Sequence, residues 1–159
     1  MLGESHDVIE LLSQDHQHIR RLLEQLDRET DPAQLCVLYV RIVHEMTAHE
    51  AAEQQVVFPA FRTVAPAEEQ EARHWIDEHG EINQLMAEMR MLSPDDPGFE
   101  KRAAALCIEL QAHFAVEEER LFPRLNRCAS REDRVELGEQ VLAVKQAAPL
   151  FPELERLRQ

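Results

Sequence analysis

One stretch of this chain occurs twice. His49-Glu50-Ala51-Ala52-Glu53 runs on to Phe58-Pro59, and His113-Phe114-Ala115-Val116-Glu117 runs on to Phe122-Pro123. On a helix, residues four apart stack on one face about one turn apart. Each copy therefore aims an imidazole and a carboxylate at the same spot, which is the spacing a pair of metal ligands needs. One such pair would mean little in a chain with 31 acidic residues. Two copies, each with a trailing Phe-Pro, constrain the fold far more.

The partner of each stretch is duplicated as well. Asp15-His16 precedes Ile19, Leu22, Leu23 and Leu26, and Glu78-His79 precedes Ile82, Leu85, Met86 and Met89. Both are apolar stripes at helical spacing, the mark of an amphipathic helix. The sequence reads as one helical hairpin used twice. Only four glycines and 5% aromatic residues agree with an all-α chain.

Turn signals divide the chain accordingly. Ser5 can cap a first helix that runs to about Arg28, and Asp31-Pro32 caps and opens a second that runs to about Phe58. Pro59 should kink or thin the end of that helix. A break at Thr63–Pro66 precedes a third helix over about 67–92, and Ser93–Gly98 is a loop. A fourth helix spans about 99–121, kinked or ended by Pro123, and Ser130 with Asp133 opens a fifth. The midpoints of His16 and His49, of His49 and His79, and of His79 and His113 all fall in these breaks. An up-down-up-down four-helix bundle with short connections thus brings the four imidazoles to one height. The expected division is residues 1–128 as the bundle and 129–159 as a helical extension on or beside it.

Imidazoles and carboxylates gathered in a bundle interior are costly without a compensating charge. A pair of cations removes the cost, and mixed N/O ligation suits iron, manganese or zinc. Four imidazole nitrogens and two bridging carboxylates leave about two positions open on a pair of octahedral ions, once an oxo or hydroxo bridge is counted. Such a centre is a site for O2, H2O2 or NO.

Asp15-His16-x-x-Ile19, His49-x-x-x-Glu53 with Phe58-Pro59, Glu78-His79-x-x-Ile82, and His113-x-x-x-Glu117 with Phe122-Pro123 resemble the four signatures of hemerythrin-like, HHE-type cation-binding domains, over about residues 6 to 126. The resemblance implies a four-helix bundle around two Fe ions, with His16, His49, His79 and His113 as terminal ligands and Glu53 and Glu117 bridging. It implies oxygen binding or sensing, iron handling, or removal of peroxide or nitric oxide. Zn or Mn could take the same ligands in a recombinant sample. The oxygen carriers of the family have a further His where this chain has Asn83, which argues against reversible oxygen carriage. In some relatives a Glu directly after the second-helix His supplies the missing ligand; here that residue is Glu50, one position off the ligand face.

Other residues receive plainer expectations. Glu45 and Glu109 share a face with His49 and His113 and are candidates to orient them from outside. Glu118 and Glu119 point away, so Glu118→Gln should be silent. His18 belongs to the surface, and His44 and His74 to the surface or to groups behind the ligands. Phe58 and Phe122 pack the bundle end, and Cys36 and Cys107 are buried thiols. A formal charge of −14 repels phosphate and anionic lipid, which argues against nucleic-acid and membrane partners. An odd Cys count and the lack of an apolar leader point to the cytoplasm. The favoured activity is a di-iron centre reacting with a small ligand in oxidative or nitrosative stress or iron handling. The alternatives are a non-catalytic iron or oxygen sensor that acts through a protein partner, and a structural bundle with adventitious metal.

Overall fold

The computed structural model describes residues 6–148. Helix α1 (Val8–Arg28) pairs with α2 (Pro32–Ala52), and α4 (Glu69–Arg90) pairs with α5 (Pro97–Val116). Short helices α3 (Phe58–Val64) and α6 (Phe122–Cys128) extend α2 and α5, and α7 (Arg131–Ala147) closes the order. The all-α, up-down-up-down four-helix bundle with an added C-terminal helix is the fold the chain adopts. No helix among the described residues is long and apolar enough to cross a membrane.

The helix starts follow local chemistry. Asp31 accepts from Gln34 N with Pro32 in the first turn, Asp96 accepts from Gly98 N at 2.7 Å, and Ser130 accepts from Asp133 N at 3.1 Å. The expected Ser5 cap lies outside the described residues. Asp7 caps α1 instead, accepting from Ile9 N at 2.9 Å, and its other oxygen takes Arg134 Nε of α7 at 3.0 Å.

The Phe-Pro steps behave differently from expectation. Neither ends its helix. Between α2 and α3 the backbone widens into a π turn, Glu53–Val57, in which Phe58 N donates to Glu53 O. The second copy repeats it at Glu117–Leu121, with Phe122 N donating to Glu117 O. A proline in a regular helix has no N–H to donate and its ring strikes the carbonyl four residues back. A wider turn relieves that clash, so both helices continue for seven more residues.

Two apolar clusters fill the bundle. One, toward the Pro32 and Pro97 turns, holds Ile19, Leu23, Ile42, Met46, Ile82, Met89, Leu106 and Leu110. The other, around the π turns, holds Val8, Leu12, Phe58, Phe61, Trp75, Leu121, Leu125 and Val141. Each large side chain so buried contributes about 1.5–3 kcal/mol. The titratable residues of interest lie between the two.

Helix α7 lies along α1 and α2. At Gly138 it meets the chain entering α1 so closely that an added Cβ would stand 1.4 Å from the His6 carbonyl oxygen and 3.2 Å from Val8 N. Two turns further along both helices, Lys145 Nζ contacts Asp15 Oδ1.

The thiols differ from expectation at Cys36, which is exposed, whereas Cys107 is half-buried with its Sγ 3.9 Å from Leu23 O. Leu35 to Val40 is apolar on every helical face, so its pattern could not say which side turns outward.

Candidate metal centre

His16 on α1, His49 on α2, His79 on α4 and His113 on α5 meet at one level, and all four are buried with Glu53 and Glu117. Each imidazole turns Nε2 inward. Glu117 sets Oε2 3.1 Å from His16 Nε2 and Oε1 2.6 Å from His113 Nε2. Glu53 sets Oε1 against His49 Nε2 and Oε2 3.4 Å from His79 Nε2. Each carboxylate therefore offers one oxygen to the His16–His49 pair and the other to the His79–His113 pair. Two overlapping groups result: His16, His49, Glu53 and Glu117, and Glu53, His79, His113 and Glu117, the candidate ligand atoms of each lying within 4.8 Å of one another.

The outward nitrogens are held from the opposite direction. His49 Nδ1 lies 3.0 Å from Asp15 Oδ2 and His113 Nδ1 lies 2.8 Å from Glu78 Oε2. A carboxylate beside Nδ1 requires the proton there, which leaves the Nε2 lone pair facing inward. The Gln54 amide reaches His79 Nδ1 at 3.4 Å, and Glu118 Oε2 stands 3.6 Å from His16 Nδ1, an ion-pair distance. The halves match: each acidic residue before a motif His serves the imidazole of the next helix, and each residue after a motif Glu serves the opposite hairpin. Phe58 and Phe122 follow the same rule. Their rings lie 5.6 Å from His79 and 5.4 Å from His16, so they wall the imidazoles as well as pack the core.

Two expectations are corrected here. Glu45 is partnered with His18 at 3.7 Å, and Glu109 is exposed, so neither orients a motif imidazole. Glu118 does not point away. The π turn advances each residue by less than a regular helical turn, which swings Glu118 toward His16, and Arg20 pins it at 2.7 and 3.0 Å. Glu118→Gln should accordingly lower metal affinity about tenfold in a chelator-competition titration, in the range that outer partners of metal ligands contribute. His18 is half-buried beside Glu45, and His74 sits behind the ligands, 3.1 Å from Glu78.

Glu50 is buried but belongs to neither four-residue group. Asn83 Nδ2 donates to its Oε2 at 2.8 Å, while Oε1 has no hydrogen-bond partner. Burial, reinforced by the charge of Glu53, pushes its carboxyl above the usual range despite the counteracting pull of His79 and Asn83.

The electrostatics show what the interior demands. Burial opposes charge on the imidazoles of His49, His79 and His113. The nearby Glu117 and Glu53 carboxylates overcome it at His79 and raise it to about 10. The adjacent Glu117 carboxylate does the same at His113, to about 9. His49 is raised well above its usual range against burial, chiefly by Glu53 and Asp15. Glu117 is held well below the carboxylate range against burial, chiefly by His113. Without another cation, protons on His49, His79 and His113 balance the carboxylates. Even so, His16 Nε2, His49 Nε2 and both oxygens of Glu53 and of Glu117 lack a hydrogen bond. Buried atoms of this kind cost free energy unless something engages them, and this donor set of imidazole nitrogens and shared carboxylates fits divalent or trivalent cations.

A helical bundle with two overlapping His/Glu groups in its interior places the chain among bundle proteins built to hold cations. The chain belongs to the hemerythrin family: the model of the hemerythrin HHE cation-binding domain matches residues 7–125. Its fold is similar to the crystal structure of a hemerythrin HHE cation-binding domain-containing protein, the Rv2633c homolog from Mycobacterium kansasii. That likeness has a TM-score of 0.81 at 19% identity and covers 96% of this chain and 93% of the other. A curated relative, named DNA nickase, from Nostoc sp. (strain PCC 7120), is 25% identical over 139 residues, 87% of this chain. The match spans only 39% of that relative's length.

Proposed function

We propose that the chain holds two metal ions, iron in its working form, with His16 and His49 terminal on one, His79 and His113 terminal on the other, and Glu53 and Glu117 bridging both. The observation that carries this is the split of each carboxylate, one oxygen toward each imidazole pair. A hydrogen-bonding network would have no need to leave those same oxygens without hydrogen bonds. Iron bound there supplies redox chemistry toward a small ligand, O2, H2O2 or NO. The protein's part is to present four Nε2 lone pairs, to fix the rings through Asp15, Glu78, Gln54 and Glu118, and to exclude bulk water with Phe58, Phe114 and Phe122. Phe114 stacks on His16 at 4.0 Å and belongs to this wall. On the His79 side, Glu50 is the group available as a further donor, once Asn83 releases it.

The test is elemental analysis of protein purified without added metal, then rapid mixing of the iron form with each ligand. The expected result is about two irons per chain, a ligand-to-metal charge-transfer band, and consumption of peroxide or nitric oxide. Clearly sub-stoichiometric metal after reconstitution would sink the two-metal reading. Two irons inert to all three ligands would leave a metal-binding module and remove the reactivity. The nickase activity named for the longer Nostoc relative belongs to that protein, and the −14 charge of this chain gives no support for carrying it over.

A further inference from the structure

We propose that Lys145 of α7 is a positioning residue for the metal centre, acting through Asp15 on His49. The inference rests on the two-metal reading above. It starts from a contact chain that crosses three helices: Lys145 Nζ on Asp15 Oδ1, Asp15 Oδ2 3.0 Å from His49 Nδ1, and His49 Nε2 on Glu53 Oε1. Asp15 thus has one oxygen on the cation and the other on the imidazole.

The internal duplication makes this contact conspicuous. The two halves of the bundle correspond up to the carboxylate, Asp15 for His49 and Glu78 for His113, and part company there. Among the described residues, what stands behind Glu78 is His74, a 68% exposed side chain of the same helix. Behind Asp15 stands a lysine from a helix beyond residues 7–125, the segment the family shares. Lys145 and Asp15 side chains are 22% and 14% exposed, so solvent screens this pair less than a surface pair.

The physical effect is geometric. A carboxylate gripped at both oxygens has one orientation, and so has the imidazole that donates to it. With the ammonium gone, Asp15 is free to turn toward solvent, and the His49 ring loses the restraint that aims Nε2. The loss falls on the His16–His49 position, because His79 and His113 have partners of their own. A lysine that merely docks α7 would change stability and leave the metal positions alike.

The experiment is a cobalt(II) titration of the metal-free full chain, read by visible absorption and by competition with a chelator. Wild type should take two equivalents. Lys145→Met should keep one equivalent at wild-type affinity and weaken the other about tenfold, the lower end of what outer partners of metal ligands contribute. Lys145→Arg should restore it. Lys101→Met, the same charge change at an exposed position, should match wild type. Two equivalents in Lys145→Met as tight as in wild type would overturn the proposal, even with a lowered melting temperature. So would equal weakening of both equivalents, or failure of Lys145→Arg to rescue. Fewer than two equivalents in wild type would instead strike the two-metal reading itself.

Discussion

Glu53→Gln and Glu117→Gln are each expected to reduce bound metal from about two per chain to one or fewer. The amide keeps the size of the side chain, but it removes the charge and most of the capacity to share two oxygens between two cations. Both residues are fully buried with both oxygens lacking hydrogen bonds, so neither can be replaced from solvent. The metal-free fold should survive but melt below wild type, because the protonated imidazoles that balance each carboxylate lose their buried partner. Elemental analysis and a thermal melt on the same sample check both halves of the expectation. Glu119→Gln is the silent control, since Glu119 is exposed and Glu118 is not idle. If all three variants retained two metals, the shared-carboxylate arrangement would be wrong.

Gly138→Ala is the second large effect, and it is structural. The new methyl would stand 1.4 Å from the His6 carbonyl oxygen, a distance at which backbone must move. Either α7 lifts from α1, drawing Arg134 off Asp7 and Lys145 off Asp15, or the chain entering α1 shifts and disturbs the Asp7 cap. Overpacking of this kind costs about 1–3 kcal/mol, which in a chain of this size is a fall in melting temperature of roughly 2–4 °C per kcal/mol. Amide exchange should rise through α7 while α4 and α5 stay protected. A melt and exchange profile like wild type would show that α7 docks some other way.

Much of the bundle was legible because the chain states its plan twice. Asp31-Pro32 and Ser93–Gly98 announce turns, and the stripes after His16 and His79 place a buried face. The six inward residues followed from the repeat and from the midpoints falling in turns. Their outer partners did not. Asp15 and Glu78 were visible as a duplicated acidic residue before each His, but i−1 on the same helix gives no hint of service to the neighbouring helix. Gln54 and Glu118 were missed for a different reason: assigning them needs the local helical pitch, and a regular pitch sends them to the wrong side. Lys145 offered no signal, because its partner lies in another half of the chain and the pairing depends on how α7 docks. Cys36 failed because an apolar run without periodicity cannot declare its exposed side.

The π turns also govern how the chain tolerates length changes. Each is, in effect, one surplus residue in a helix that would otherwise repeat every 3.6 residues. Because of it, Phe58 and Phe122 occupy the rows of Glu53 and Glu117, five positions on instead of four. Deleting one residue between Glu53 and Phe58 would restore a regular pitch and keep everything downstream in phase, the ring then following the carboxylate by four positions. Phe61, wholly buried in α3, would keep its place. The two segments therefore act as phase correctors, and in any pairing of this chain with a relative lacking Phe-Pro the gap belongs there, between the carboxylate and the aromatic ring.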